Sequence, residues 1–216
     1  MKYKLAIFDL DGTILDTLED LADSVNYALA KSGFPLRTID EVRCFVGNGI
    51  RNLMERAVPQ GKETAAIDVV HRDFTAHYKV HCADKTRPYD GINALIMTLR
   101  ESGCKTAVVS NKADYAVQEL CAQYFPGMFD FVVGERAGIR KKPAPDSVNE
   151  VLSVLQMERE DSVYIGDSEV DLATARNVCM NCIVVSWGFR TVDVLKENGA
   201  ETIVSKPEKI AEIILG

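Results

Sequence analysis

The sequence predicts an α/β fold in which a doubly wound parallel sheet carries helices on both faces. Three observations favour this class: short apolar runs rich in β-branched residues recur along the chain, amphipathic stretches separate them, and one long helical stretch interrupts the alternation. With 216 residues, 47% of them hydrophobic and 26% charged, the chain can bury a sizeable core and is too apolar to be disordered.

Five short apolar runs are predicted as buried strands because they carry the β-branched residues that such strands favour. They cover residues 4–8, 105–109, 131–133, 162–165 and 182–186. Amphipathic stretches that predict helices lie between or after these runs, at residues 93–102, 113–124, 146–156, 169–177, 191–197 and 208–215. Strand and helix alternate in the manner of βαβ units, which predicts a Rossmann-like parallel sheet covered on both faces.

The segment from residue 15 to 87 breaks this alternation, because helical patterns follow one another there without a convincing strand. The predicted helices cover residues 19–31, 38–44, 49–57 and 63–83, and a turn at residues 88–91 returns the chain to the core. The predicted organisation is a core domain of residues 1–14 and 87–216 with an inserted all-helical cap domain of residues 15–86. A helical insert beside the first strand is placed to control access to a site there.

Charge and composition narrow the classes of partner. The net charge of −7 disfavours binding to nucleic acid or to an anionic membrane, which needs a basic face. No apolar run approaches the length that spans a bilayer, and the apolar start of the chain ends at Asp9, too early for a signal peptide. We therefore expect a cytoplasmic protein that is a monomer or a weak homodimer.

The six cysteines are expected to be reduced thiols rather than a disulfide framework. Cys179 and Cys182 have the spacing of half a zinc site, but no second pair has a matching spacing. The pair straddles the start of a predicted strand, so we interpret both residues as buried structural thiols.

An acidic pair follows the first predicted strand directly, in the segment Phe8-Asp9-Leu10-Asp11-Gly12. Ligand sites of open α/β sheets lie at the carboxyl ends of strands, and residues two apart on an extended chain point the same way. Asp9 and Asp11 are therefore predicted to face one site. The alternative is a turn in which Asp11 and Gly12 only reverse the chain.

A second acidic cluster, with Asp167, Ser168 and Asp171, follows the predicted strand 162–165. Carboxylates at the ends of neighbouring strands repel one another unless a cation lies between them, and a set of hard oxygen ligands suits Mg²⁺. The alternative is that Asp167 or Ser168 caps the following helix, a role that both residue types favour.

A hydroxyl, an amide and a lysine complete the polar set. Ser110 and Asn111 follow the strand 105–109, where they can donate hydrogen bonds to phosphate oxygens or cap a helix. The basic loop Arg140-Lys141-Lys142 precedes a Pro-x-Pro segment and a helix. Basic loops are often only solvated surface, but the rigid prolines favour a lysine that points inward.

These four motifs, in this order, resemble those of the haloacid dehalogenase superfamily of phosphohydrolases. The lysine before proline is the one that matches, so the resemblance assigns the role to Lys142 and not to Lys141. The resemblance implies an α/β core, a helical cap of the first cap class, and Mg²⁺-dependent hydrolysis of a small phosphorylated metabolite.

For the individual residues the resemblance implies a two-step mechanism. Asp9 is the nucleophile that forms an aspartyl-phosphate, and Asp11 is the general acid and then the general base. Mg²⁺ is held by Asp9, Asp167 and the backbone carbonyl of Asp11, with Asp171 in the outer shell. The transferred phosphoryl group is clamped by Ser110 and Lys142.

Several further stretches are similar to phosphoglycolate phosphatases within this superfamily, so 2-phosphoglycolate is the expected substrate. One is the predicted cap loop Gly47-Asn48-Gly49-Ile50-Arg51. Its glycines let backbone N–H groups approach an anion, and Arg51 can pair with a substrate carboxylate. Thr13 and Asn111 complete the predicted substrate-binding set.

Other functions remain open on the sequence alone. Inorganic pyrophosphatases and sugar-phosphate phosphatases or mutases share the same core. A receiver-like phosphoacceptor also uses Asp, Mg²⁺, a hydroxyl and Lys, but its acceptor follows the third strand rather than the first. A catalytically dead binding protein is the remaining alternative.

Overall fold

The computed structural model describes all 216 residues, which form two units. The core unit contains Met1–Leu15 and Pro88–Gly216, and the helical unit contains Asp16–Arg87. None of the helices combines the length and the apolar character that are needed to cross a membrane.

The core unit is built on a six-stranded sheet in which every pairing of strands is parallel. Its strands are β1 (Leu5–Phe8), β4 (Lys105–Ala113), β5 (Phe131–Glu135), β6 (Ser162–Gly166), β7 (Asn181–Val185) and β8 (Ile203–Val204). Their order across the sheet is β5-β4-β1-β6-β7-β8. The chain therefore winds outward from β1 in one direction and then in the other, which confirms the predicted doubly wound α/β class.

Six helices complete the core unit: α5 (Ile92–Glu101), α6 (Asp114–Tyr124), α7 (Asp146–Leu155), α8 (Glu169–Asn177), α9 (Val192–Glu197) and α10 (Pro207–Leu215). Each follows a strand or a turn and buries some of its apolar residues, although Met97 of α5 and Val154 of α7 are exposed. One apolar cluster joins β1, β4 and β6 to α7 through residues such as Ile7, Val109, Val151 and Tyr164. Burial of these apolar side chains stabilises the sheet. The polar residues of the predicted site that belong to this unit lie at or after the carboxyl ends of the strands.

The helical unit contains α1 (Leu18–Lys31), α2 (Ile39–Phe45), α3 (Gly49–Ala57) and α4 (Thr64–His81). The helices α1 and α4 pack against each other and bury Val25, Phe74 and Tyr78. Helix α2 begins with a capping box in which Thr38 and Glu41 each accept a backbone N–H of the other.

The two ends of the helical unit are joined by Asp20, which is almost fully buried in α1. Its carboxylate accepts hydrogen bonds from the backbone N–H groups of Lys85 and Thr86 at 2.8–3.0 Å. These bonds satisfy backbone donors that would otherwise lack a partner where the chain leaves the unit.

Some sequence predictions were wrong in detail. Three two-residue strands were missed: β2 (Leu15–Asp16) and β3 (Arg87–Pro88), which pair with each other, and β8. The prediction that β4 ends at Val109 was also wrong, because the strand continues to Ala113, which pairs with Glu135 after a shift in register. Runs of two residues are too short to produce a periodic pattern, and the polar residues of β4 concealed its continuation.

All six cysteines are free, as predicted. The prediction that both Cys179 and Cys182 are buried was wrong for Cys179, which is exposed in the turn that precedes β7. Cys179 has a φ of 55°, the left-handed conformation that often ends a helix, so its side chain leaves the core where α8 ends. Cys182 is partly buried in β7, and its burial raises the pKa of the thiol.

Candidate active site

The polar residues gather at the carboxyl end of β1, where the order of the sheet reverses. Strand β1 lies between β4 and β6, and its last residue, Phe8, pairs with Val108 and Ile165. The residues that follow Phe8, Val108 and Ile165 therefore begin side by side. This is the position at which open α/β sheets bind their ligands.

Asp9 is the first residue after β1, and its side chain is 12% exposed. Its Oδ1 atom accepts hydrogen bonds from the backbone N–H of Leu10 at 2.7 Å and from the Nζ of Lys142 at 2.9 Å. Burial raises the pKa of the Asp9 carboxyl to about 7, with Asp171 and Asp11 adding to the rise and Lys142 opposing it. Both bonds use the same oxygen, Oδ1.

Lys142 lies in the loop between β5 and α7, and its side chain is buried. Its Nζ also donates to Asp171 Oδ1 at 2.8 Å and to the Tyr164 hydroxyl at 3.0 Å. Burial alone would lower the pKa of this ammonium, but Asp171 and Asp9 raise it well above its ordinary value. A permanent cation therefore lies beside the Asp9 carboxylate.

Asp167 follows β6 and is held on several sides. Its Oδ2 accepts the backbone N–H of Phe189 at 2.6 Å, and its Oδ1 accepts the Thr13 hydroxyl at 3.4 Å. Gly12 and Gly188 lie so close that a Cβ atom on either would overlap the Asp167 side chain. Gly12 also has a φ of 84°, a conformation that glycine adopts without strain. The sequence around Asp167 therefore fixes one orientation of this carboxylate.

Asp171 lies in the first turn of α8 and has no exposed surface. Its Oδ2 accepts the backbone N–H groups of Asp167 and Ser168 and the Ser168 hydroxyl, at 2.6–3.2 Å. Ser168 occupies the N-cap position, as one of the two interpretations expected. Asp171 thus fixes the loop that carries Asp167 while also binding Lys142.

Carboxylate oxygens of Asp9, Asp167 and Asp171 lie within 4.8 Å of one another. Burial raises the pKa of Asp167 well above its ordinary value, with further contributions from Asp171 and Asp9. Three buried carboxylates at this separation destabilise one another unless protons or a cation neutralise them. This donor set of hard oxygen atoms can hold a metal ion.

Ser110, Asn111 and Lys112 lie in the part of β4 where its pairing with β5 shifts, and all three are buried. The Ser110 hydroxyl oxygen accepts the backbone N–H of Lys112 at 3.2 Å, so its own proton is available for a different acceptor. Asn111 donates from Nδ2 to the carbonyl of Lys142 at 3.0 Å, which ties the lysine loop to β4. Irregular strands of this kind commonly re-aim side chains next to active sites.

The side chain of Lys112, for which the sequence analysis gave no role, also reaches these polar residues. Its Nζ donates to Asp11 Oδ1 at 2.8 Å, and the side chain is only 3% exposed. Residues 110 and 112 are two apart on a strand and therefore share a face, as Asp9 and Asp11 were predicted to do. The same argument could have indicated that Lys112 faces the site with Ser110. Tyr164, which contacts Lys142, was interpreted only as part of a buried strand.

The predicted cap residues 47–51 belong to the helical unit and are described by their contacts there. Gly47 has a φ of 125° and Gly49 a φ of 81°, so both use conformations that favour glycine. Asn48 precedes α3, and its carbonyl accepts a hydrogen bond from the Asn52 side chain. Arg51 forms ion pairs with Glu55 and Asp68.

Comparison with known proteins agrees with this geometry. The family model of haloacid dehalogenase-like hydrolases matches residues 6–185. A protein of Psychrobacter arcticus named phosphoglycolate phosphatase is 36% identical over 88% of this chain and 86% of its own length. A protein of the same name from Agrobacterium fabrum is 32% identical over 89% of this chain and 84% of its own length.

A solved structure from Lactobacillus delbrueckii subsp. bulgaricus, provisionally named as a phosphoglycolate phosphatase, is 43% identical. It covers 100% of both chains with a TM-score of 0.96. The acidic residues at the end of β1, the buried lysine and the second acidic cluster thus occur in a chain that resembles phosphatases over nearly its whole length. The chain belongs to the haloacid dehalogenase-like hydrolases and is a phosphatase of that family.

Proposed function

We propose that this phosphatase is a Mg²⁺-dependent phosphate monoester hydrolase that works through an aspartyl-phosphate on Asp9, with 2-phosphoglycolate as its substrate. One observation carries the mechanism: Asp9 lies at the end of the central strand with one oxygen bonded to Leu10 and Lys142. A carboxylate that is fixed through one oxygen presents the other to a substrate, which suits in-line attack on phosphorus.

In the first step, Asp9 Oδ2 forms a bond to phosphorus while the bond between phosphorus and the ester oxygen breaks. The departing oxygen takes a proton from Asp11, so the product leaves as a neutral alcohol. In the second step, Asp11 takes a proton from a water molecule, whose oxygen attacks phosphorus and releases inorganic phosphate and the Asp9 carboxylate. Lys112 supports this assignment because it holds Asp11 at the edge of the same cluster.

Charge that develops on the transferred phosphoryl oxygens needs donors that are already in position. Lys142 is a buried cation beside Asp9, and the Ser110 hydroxyl retains a proton to donate. Both groups are held by other contacts, Lys142 through Asp171 and Ser110 through the Lys112 backbone, and Lys142 would share with a phosphoryl oxygen the proton that it donates to Asp9. They are the proposed phosphoryl clamp.

The donor set fits a hard divalent cation, with Asp9, Asp167 and the backbone carbonyl of Asp11 as the proposed ligands of Mg²⁺. Asp171 is the proposed outer-shell residue because its oxygens already accept bonds from Lys142, Asp167 and Ser168. When bound, Mg²⁺ supplies positive charge that neutralises the phosphoryl oxygens. Thr13 and the Phe189 N–H hold Asp167 in the orientation that this role needs.

For the choice of substrate, we propose that the helical unit acts as a cap and that residues 47–51 recognise the carboxylate of 2-phosphoglycolate. Two observations support this choice: the relatives named above are phosphoglycolate phosphatases, and the loop has two glycines beside an arginine. Arg51 would exchange its pairs with Glu55 and Asp68, which are exposed and therefore weak, for the substrate carboxylate.

The deciding experiment measures release of inorganic phosphate from 2-phosphoglycolate, pyrophosphate and a sugar phosphate, with and without Mg²⁺, and with Asp9→Asn as the blank. We expect kcat/KM for 2-phosphoglycolate to exceed the other two by about tenfold, which is about 1.4 kcal/mol of transition-state preference. Weak and equal hydrolysis of all three would refute the choice of substrate and leave the mechanism standing. No release from any of them would refute the mechanism as well.

A further inference from the structure

Lys142 uses all three protons of its ammonium group in the structure. The acceptors are Asp9 Oδ1 at 2.9 Å, Asp171 Oδ1 at 2.8 Å and the Tyr164 hydroxyl oxygen at 3.0 Å. An ammonium group has three donors and no acceptor, so these contacts complete its bonding. Two of the acceptors are charged and belong to the acidic cluster, whereas the third is neutral and comes from the interior of the sheet.

Tyr164 lies in β6 and has no exposed surface. Its hydroxyl donates to the backbone carbonyl of Val109 at 3.3 Å, in β4 on the other side of β1. A hydroxyl has one proton, so donation to Val109 leaves its lone pairs for the ammonium. The bond to Val109 therefore fixes the direction from which Tyr164 accepts the Lys142 proton.

The apolar packing around Tyr164 requires the ring but not the hydroxyl. The ring belongs to the cluster that includes Leu5, Ile7, Val109 and Val151, where a phenylalanine ring would fill the same volume. A buried hydroxyl has to find partners, and this one contacts Lys142 and Val109, a residue of the strand that carries Ser110. The polar atom of Tyr164 is thus connected to the site, while its apolar atoms belong to the core.

We propose that Tyr164 is a positioning residue that holds the Lys142 ammonium in place for the phosphoryl group. The inference rests on the proposed role of Lys142 and deepens it. A lysine side chain has four flexible carbons, so the position of its ammonium depends on acceptors that are themselves fixed. Asn111 fixes the backbone of Lys142 and Tyr164 fixes its tip. Because Tyr164 is neutral, it orients the charge without cancelling it.

The first test is Tyr164→Phe, which removes the hydroxyl and keeps the ring. We expect kcat to fall about tenfold with KM changed less than twofold, because a phosphoryl clamp acts most strongly on the transition state. The control is Tyr3→Phe, another buried tyrosine of the core unit. Tyr3 precedes β1 at the end of the strand opposite Asp9, so its hydroxyl should not affect kcat.

The second test asks whether Tyr164 acts through Lys142. Affinity for orthovanadate, an analogue of the phosphoryl transition state, is measured by calorimetry in the presence of Mg²⁺ for wild type, Tyr164→Phe, Lys142→Met and the double variant. We expect Tyr164→Phe to weaken binding about tenfold in the wild-type background and to have no further effect beside Lys142→Met. Equal effects in both backgrounds would overturn the inference.

The outcomes separate this inference from the proposed function. If wild type releases no phosphate from any ester, the proposed function fails and the role of Tyr164 fails with it. If wild type is active and Tyr164→Phe keeps its full kcat, the inference alone is overturned. Loss of the native circular dichroism spectrum in Tyr164→Phe would also overturn it, because the hydroxyl would then serve folding rather than positioning.

Discussion

Lys112 and Asp11 lie 101 positions apart in the sequence, yet the Lys112 Nζ donates to Asp11 Oδ1 at 2.8 Å. The lysine side chain is 3% exposed and the aspartate side chain 15% exposed, so the pair lies at the inner edge of the site. Low exposure makes such a pair stronger than an ion pair on the surface. Lys112 therefore restricts the position of the proposed acid and base.

Removal of this lysine should affect esters according to their leaving groups. In Lys112→Met, we expect kcat for an alkyl phosphate such as 2-phosphoglycolate to fall about tenfold or more, because the alkoxide needs a well-placed acid. For p-nitrophenyl phosphate, whose leaving group needs little protonation, we expect a change below threefold. Steady-state kinetics with both esters checks this, with Lys196→Met, at an exposed position of α9, as the control. An equal loss of kcat for both esters would contradict the inference that Lys112 positions Asp11.

Asp9→Asn should abolish turnover and keep the fold. The amide lacks the charge of the nucleophile, while its volume matches the carboxyl group that β1 presents. Phosphate release should fall to the level of the uncatalysed reaction, and the circular dichroism spectrum should match wild type. Turnover close to the wild-type rate would show that another residue is the nucleophile.

The pH dependence of stability follows from the raised pKa of Asp9. In the folded, metal-free protein the pKa of this carboxyl is about 7, whereas its ordinary value is 3.8. Between these values the folded state binds more protons than the unfolded state, so the free energy of unfolding falls as the pH rises through about 7. Asp167 acts in the same direction because its pKa is also raised.

Urea unfolding in the presence of a chelator, at pH 5 and at pH 8, checks this prediction. The decrease in the free energy of unfolding should be larger for wild type than for Asp9→Asn. His77 opposes this decrease because its pKa is lowered. Both proteins contain His77, so its effect cancels when wild type is compared with Asp9→Asn. Addition of Mg²⁺ should stabilise wild type more at pH 8 than at pH 5, since the ion competes with protons. An identical decrease in both proteins would contradict the assignment to Asp9.

Gly188→Ala tests the packing around Asp167. A Cβ atom at this position overlaps the Asp167 side chain and the backbone of Gly12, so the carboxylate has to move. Displacement of a metal ligand typically costs tenfold or more in affinity, and we expect the Mg²⁺ concentration for half-maximal activity to rise by about that factor. A Mg²⁺ titration of activity measures it. An unchanged half-maximal concentration would show that the orientation of Asp167 does not limit binding of the ion.

Arg51→Ala tests recognition of the substrate carboxylate. We expect KM for 2-phosphoglycolate to rise about tenfold, with little change for p-nitrophenyl phosphate, which has no carboxylate. Arg43→Ala is a matched control, because Arg43 also lies in the helical unit and forms an exposed ion pair with Asp40. Equal changes for both esters would remove Arg51 from the substrate-binding set.

The sequence was sufficient to predict the class of the fold and the segments that meet at the carboxyl ends of the strands. The positions of Asp9 and Asp167 follow from where apolar strands end, which a single sequence records directly. The parallel sheet then brings these segments together because its strands end on one side. Ser110 lies in β4, which is the first core strand after β1 and pairs with it. Its position beside the ends of β1 and β6 could therefore also be predicted from the sequence.

The contacts of Lys112 and Tyr164 could not be predicted in the same way. The period of two along β4 could place Lys112 on the same face as Ser110, but it does not identify Asp11 as its partner. The pairing of β4 with β5 shifts between Val109 and Ala113, and such irregularities leave no signal in the sequence. Tyr164 resembles any buried aromatic residue of a strand until its hydroxyl is seen to reach Val109 and Lys142. Both depend on distances between segments that are far apart in the chain, which residue patterns do not encode.

The composition of the site has a consequence for the order in which ligands bind. Four carboxylates, those of Asp9, Asp11, Asp167 and Asp171, meet two ammonium groups, those of Lys112 and Lys142. At a pH where Asp9 and Asp167 are ionised in spite of their raised pKa values, an approaching phosphate dianion is repelled by this excess of negative charge until a divalent cation offsets it. The proposed Mg²⁺ therefore has to enter first, and the enzyme should follow an ordered kinetic mechanism in which the ester meets a neutralised site.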